Sequence, residues 1–89
     1  MGIKVMKLIS GEELVAREVG DGKFDRPRVF QVTQTERGMG AALVPYFISD
    51  PDAVIEINVS CVVSTIDAPA QLEKAYLQQT SSLDLTTKI

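Results

Sequence analysis

Histidine and tryptophan are absent from this chain, cysteine occurs once, and the aromatic residues amount to three Phe and two Tyr. Without histidine, the commonest general base and both the Ser-His and Cys-His dyads are missing. A single cysteine excludes an internal disulfide, and one Cys with no His cannot build a tetrahedral zinc site. No cofactor, metal or catalytic site is therefore expected. The closest carboxylate pairs, Glu12-Glu13 and Asp50-Pro51-Asp52, fall in turn-forming sequence, where acids are ordinary. Arg37-Gly38-Met39-Gly40 likewise reads as a turn rather than a phosphate loop, and Cys61 as a small core hydrophobe.

Long hydrophobic runs are missing too. No stretch approaches the roughly 20 apolar residues of a membrane span. The segment Met1 to Lys7 lacks the apolar run of a signal peptide, and Met6 stands where myristoylation needs Ser or Thr. An intracellular, cytoplasmic protein with no membrane partner is expected.

What is present suffices for one domain over residues 1–89, with 45% apolar residues. A domain of this size buries only about 60–65% of its unfolded surface, so its core is marginal. With disulfides and zinc excluded, self-association is the remaining remedy. The formal net charge is −3, yet Lys23, Arg26, Arg28 and Arg37 fall in one short segment whose only acids are Asp25 and Glu36.

Strands and tight turns fill the first two-thirds, about residues 3–66. Val5 to Ile9 ends at Ser10-Gly11-Glu12, and Leu14 to Val19 ends at the hairpin signal Gly20-Asp21-Gly22-Lys23. Pro27 to Thr35 carries the strand formers Val29, Phe30 and Val32. Ala41 to Ile48 contains Pro45, which places it at an edge or a bulge. From Val54 to Ile66 a straight strand would run about 43 Å, in a globule spanning roughly 30 Å. It must break, and the polar stretch Asn58-Val59-Ser60 is the expected corner. Ile55, Ile57, Val59, Cys61 and Val63 share one parity, whereas Val62 and Ile66 fall on the other. Next, Asp67 can cap, Pro69 suits a first turn, and Leu72, Ala75, Tyr76 and Gln79 fall at helical spacing. A helix is expected over about 68–79, packed on the sheet because it is too short to persist alone. The tail 80–89 is expected to be mobile, with Leu83 and Leu85 able to dock.

Gly11, Leu14 and Ala16 give a glycine turn, an apolar residue and a very small residue in order, and Ile55 to Val63 gives apolar strand, tight turn, apolar strand. This outline resembles the Sm/LSm small barrel. The stretches Met6 to Leu14, Met39 to Pro45 and Leu72 to Thr80 are similar to small Sm-like proteins encoded by tailed phages of marine bacteria, cyanophages among them. The resemblance implies a mainly β fold: a strongly bent five-stranded antiparallel sheet or small barrel, here with its helix at the C-terminal end. It also implies a homo-oligomeric ring of about five to seven subunits, closed through Ile55, Ile57, Val59, Cys61 and Val63. In the family a uridine pocket is built by an Asp followed by an Asn and by an Arg-Gly pair. Here Asp25 stands for the Asp, no Asn follows it, and Asn58-Val59-Ser60 occupies the place of Arg-Gly.

Two functions follow. In the first, the ring contacts RNA or single-stranded DNA through Lys23, Arg26, Arg28 and Arg37, with Asp25 as pocket residue. In the second, it is a structural or adaptor ring of phage assembly with no nucleic-acid ligand. Phe30 and Phe47 could stack bases, though the plainer expectation puts both in the core.

Overall fold

The structure, a computed structural model, describes residues 2–87, with side-chain surroundings described as far as Thr80. Six antiparallel strands form one open sheet: β1 (Ile3–Leu8), β2 (Glu13–Gly20), β3 (Lys23–Thr35), β4 (Gly38–Pro45), β5 (Val54–Glu56) and β6 (Val62–Asp67). A 3-10 turn, Val59–Cys61, precedes β6, and the helix α1 spans Ala70–Thr87. Five strands lie in the order β4-β3-β2-β1-β6, and the short β5 pairs with β3. The chain is mainly β with one C-terminal helix.

The β1–β2 and β2–β3 connections are tight because Gly11 and Gly22 adopt φ values of 100° and 72°, which side-chain-bearing residues avoid. Register slips between Val15 and Arg17, at the fully buried Ala16, where only a small side chain fits.

Curvature follows from the connection between the two sheet margins. In a flat sheet, four inter-strand steps of about 4.8 Å would set β5 and β6 about 19 Å apart. The linker 57–61 spends three residues on a 3-10 turn that rises only about 2 Å each, so it reaches roughly 16 Å. The sheet has to curl. Its concave side accordingly gathers Met6, Leu8, Leu14, Ala16, Phe24 and Val29, against which Ile55 and Ile57 pack from one margin and Val62 from the other. The corner falls where the polar stretch Asn58 to Ser60 predicts it: the Asn58 side chain accepts from the Ser60 N–H at 3.0 Å.

The convex side carries a second cluster, Ile3, Val5 and Val15, covered by Tyr76 with Leu72 and Ala68 beside it. The helix begins two residues later than expected, because Asp67 ends β6 and gives its carboxylate to Lys4 instead of capping. It also runs beyond Gln79 to Thr87. The buried Thr80 hydroxyl donates back to the Tyr76 carbonyl at 3.0 Å, so this polar residue sits inside the helix without a loose donor. The expected docking of Leu83 and Leu85 concerns side chains outside those described.

β3 starts at Lys23, earlier than its apolar run suggests, and holds Pro27 in mid-strand. On its outer side it pairs with β4 as far as Arg28–Pro45, then with β5 from Asp25–Val54. Between those pairs, Arg26 and Pro27 face the whole loop 46–53. Arg26 takes φ 51° there, and Pro27 has no N–H to lose.

The Tyr76 hydroxyl donates to the Asp25 carbonyl at 2.7 Å, fastening the helix to β3. Tyr76→Phe is expected to cost about 1–2 kcal/mol, measured as a fall in urea midpoint. Burial also pushes the Tyr76 phenol above its ordinary value of 10.0. Its contribution is therefore intact below pH 10.0 and lost as pH rises through the raised value, a limb that Tyr76→Phe removes.

Candidate functional site

Three places bear on function: the basic segment, the corner cleft and the two sheet margins.

The basic segment is contiguous in sequence and dispersed in space. Lys23 and Arg37 are both exposed, but Lys23 opens β3 and Arg37 lies in the turn beyond its far end. Arg26 is half-buried, with its Nε 3.9 Å from the Asp25 carboxylate, which also accepts from Arg17 at 2.7 Å. Asp25 is thus engaged by two arginines. Arg28 overturns the expectation placed on it, being only 1% exposed. Its guanidinium donates to the Gln79 side chain at 2.8 Å, to the carbonyls of Pro51 and Pro27 at 2.5 and 3.3 Å, and to Asp52 at 3.2 Å. Those acceptors belong to the helix, the loop 46–53 and β3 itself. Arg28 is a structural clamp, and no phosphate reaches it.

The aromatic side chains divide. Phe30 packs beside the convex core as expected, whereas Phe47 lies in the loop after β4, exposed, with its ring 5.0 Å from that of Tyr46 in an edge-to-face pair. Expecting Phe47 in the core presumed a strand to Ile48; Pro45 ends it first.

At the corner, the Ile57 N–H donates to the Gly22 carbonyl at 3.0 Å and draws the 3-10 turn against the β2–β3 hairpin. The resulting cleft of about 440 Å³ is lined by Asp21, Gly22, Glu56, Ile57, Asn58 and Val59. Its charged lining is two carboxylates, which repel phosphate. Lys23 pairs across the ladder with Glu56 beside it.

Assembly residues expected on one shared face also separate. Ile55 and Ile57 turn inward onto the concave core, while Val59, Cys61 and Val63 are exposed. The three-residue 3-10 turn resets the parity, so Val62 rather than Cys61 or Val63 points inward. Cys61 is consequently at the surface and is not the core hydrophobe that composition suggests.

The margins themselves are open. Among the described residues β6 pairs only with β1, and β5, like β4 beside it, only with β3. Val59 is 82% and Val63 65% exposed, with Ile66 and Val54 also largely in solvent. Lys4 fastens β6 through Asp67, and this hydrogen bond holds the Asp67 carboxyl below its ordinary range and the Lys4 ammonium above its own.

Compared with known proteins, the chain matches no protein-family model and none of the curated proteins. Among the described residues, no helix is long and apolar enough to cross a membrane.

Two outcomes follow. Arg28→Met is expected to lose about 2–4 kcal/mol, read by urea denaturation, and Arg28→Lys should not restore it, because an ammonium cannot serve this forked set of acceptors. Amide protection along β6 should fall in Asp67→Asn. In the parent chain, the Asp67 contribution is present above pH 3.8 and lost as pH falls through its lowered value.

Proposed function

We propose that this chain is a non-enzymatic, Sm-like ring subunit that pairs the outer edge of β6 with the β5 margin of the next copy, serving as a structural or adaptor ring in phage assembly. The observation that carries this reading is the unguarded state of both margins. Soluble proteins blunt exposed edges with lysine, proline or cover. The run Val62 to Ile66 contains no charge and no proline, and Val54 to Ile57 contains only Glu56. Their exposed Val54, Val63 and Ile66 invite a partner, and each margin is open to hydrogen bonding.

The two margins differ from one another, so their pairing is head-to-tail, and a head-to-tail contact closes into a ring when its rotation allows. A curled sheet supplies a rotation at every step. The expected ring of about five to seven copies also suits a small domain that buries too little surface alone.

Nucleic-acid contact is the second reading. It is favoured by Lys23 and Arg37, both exposed, which a ring would repeat around its axis. It ranks lower because Arg28 is withdrawn from solvent, Asp25 is engaged, and the corner cleft carries Asp21 and Glu56.

Light scattering of the purified chain should give a discrete oligomer, and Val63→Lys with Ile66→Lys should reduce it to monomers that keep the same circular dichroism. A monomeric parent across the micromolar range would refute the ring. The same sample, mixed with labelled oligo-U, oligo-A and single-stranded DNA at low salt, should give no shift. A shift that weakens steeply with salt would transfer the function to nucleic-acid binding.

A further inference from the structure

The loop 46–53 presents three large apolar side chains in a row, Tyr46, Phe47 and Ile48, and Ile48 is 85% exposed. Loops ordinarily turn such residues inward or do without them. This one cannot relax inward, because it is fastened at both ends. The Tyr46 N–H donates to the Pro27 carbonyl and the Arg26 N–H to the Ala53 carbonyl, each at 3.1 Å. The buried Arg28 guanidinium holds Pro51 and Asp52 between them. Every one of these bonds is made by backbone, by Arg28 or by Asp52. The bonds that fasten the loop require none of the three apolar side chains.

Beside the loop opens a pocket of about 210 Å³, whose lining includes Tyr46, Phe47, Leu8, Leu14, Ile55 and Glu56. A preformed apolar pocket next to rigid aromatic anchors is the arrangement in which a few residues carry most of a binding energy. Rigidity matters here because the ordering cost of the loop is met before any partner arrives.

Charge selects the partner. Neither the loop 46–53 nor the lining of the pocket contains Lys or Arg, while Asp50 is exposed in the loop and Glu56 lines the pocket; Asp52 is already paired with Arg28. An acidic rim repels nucleic acid and anionic bilayers and attracts cationic protein.

We propose that the loop 46–53 and the adjoining pocket form a docking site for a basic protein segment that carries an aliphatic or aromatic anchor residue. The anchor enters the pocket beside Phe47, and its flanking lysines or arginines meet Asp50 and Glu56. The pocket shares Ile55 and Glu56 with the β5 margin that the ring reading uses, whereas Tyr46, Phe47, Ile48 and Asp50 lie outside both paired edges.

The test uses fluorescence anisotropy with two labelled peptides, one alternating Lys and Leu around a central Phe, the other with Glu in place of each Lys. The basic peptide should bind and the acidic one should not, with affinity falling as salt rises. Ile48→Ser and Phe47→Ser should each weaken binding at least about tenfold, and Asp50→Asn with Glu56→Gln should erase the charge preference. Ile48→Ser alters an exposed side chain, so circular dichroism and light scattering should match the parent. The proposal is overturned by no binding of the basic peptide, by equal binding of the acidic one, or by Ile48→Ser binding as the parent does. Capture of the chain by anionic phosphatidylserine vesicles would assign the loop to a membrane instead. Loss of the oligomer in Ile48→Ser would make it a subunit contact.

Discussion

One buried guanidinium decides how the elements of this small domain hold together. Taking Arg28 out of water costs several kcal/mol, which only a full set of acceptors can offset. Gln79, Pro51, Pro27 and Asp52 supply that set, and they tie the helix and the loop 46–53 to β3 at one point. The helix gains a polar fastening near Gln79, whose own amide goes on to the Leu43 carbonyl at 2.9 Å. The loop 46–53, where the outer ladder of β3 is interrupted, gains a substitute for the missing backbone bonds. Lysine would not do here, because three donors on one nitrogen cannot face acceptors on three sides in the plane of a fork. Among the described residues no buried side-chain polar atom lacks a partner, so the clamp introduces no polar debt of its own.

That clamp also explains why the sheet curls without closing. With the loop fixed on β3, β5 must resume beside Asp25, and the short linker then forces β6 to come round to β1 from the other side. Both margins contribute to the concave core through Ile55, Ile57 and Val62, yet neither pairs with the other. The interior is satisfied while the edges are not. A domain with a marginal core and two open edges gains more from a neighbour than from any rearrangement of its own strands, and this asymmetry underlies the ring reading.

How much of this is legible in the residues depends on whether the signal is local. The glycine turns, the late helix and the corner at Asn58 to Ser60 all follow from local chemistry or from chain length against globule size. The parity on either side of the corner does not. It depends on a 3-10 turn whose three residues advance the chain out of phase, so Cys61 and Val63 point away from the face that Ile55 and Ile57 occupy. The presence of Val62 and Ile66 on the opposite parity was the available sign. The basic segment misleads for a different reason. Nearness in sequence is not nearness in space on a strand that advances about 3.3 Å per residue, and Lys23 and Arg37 end at opposite extremes of β3. Burial of Arg28 is a tertiary fact, set by a loop and a helix far along the chain. Pro27 beside it hinted at an irregular strand, though not at what fills the irregularity.

The rigid loop and the open margins bear on each other through number. A single acidic loop with one apolar anchor site binds a basic segment weakly, because rim charges act at high dielectric and are screened over about 8 Å at physiological salt. Repetition changes that arithmetic. Once the first contact is made, each further loop on the same ring meets its target at an effective concentration set by geometry, and overall affinity can rise by about 10²–10⁴ without any new contact. A monomer bearing this loop would be a poor adaptor. A ring bearing several would discriminate sharply between partners that repeat the basic motif at matching spacing and those that carry it once. On the proposed ring reading, self-assembly is the step that would turn a modest surface into a selective one, and the edges and the loop then belong in one account.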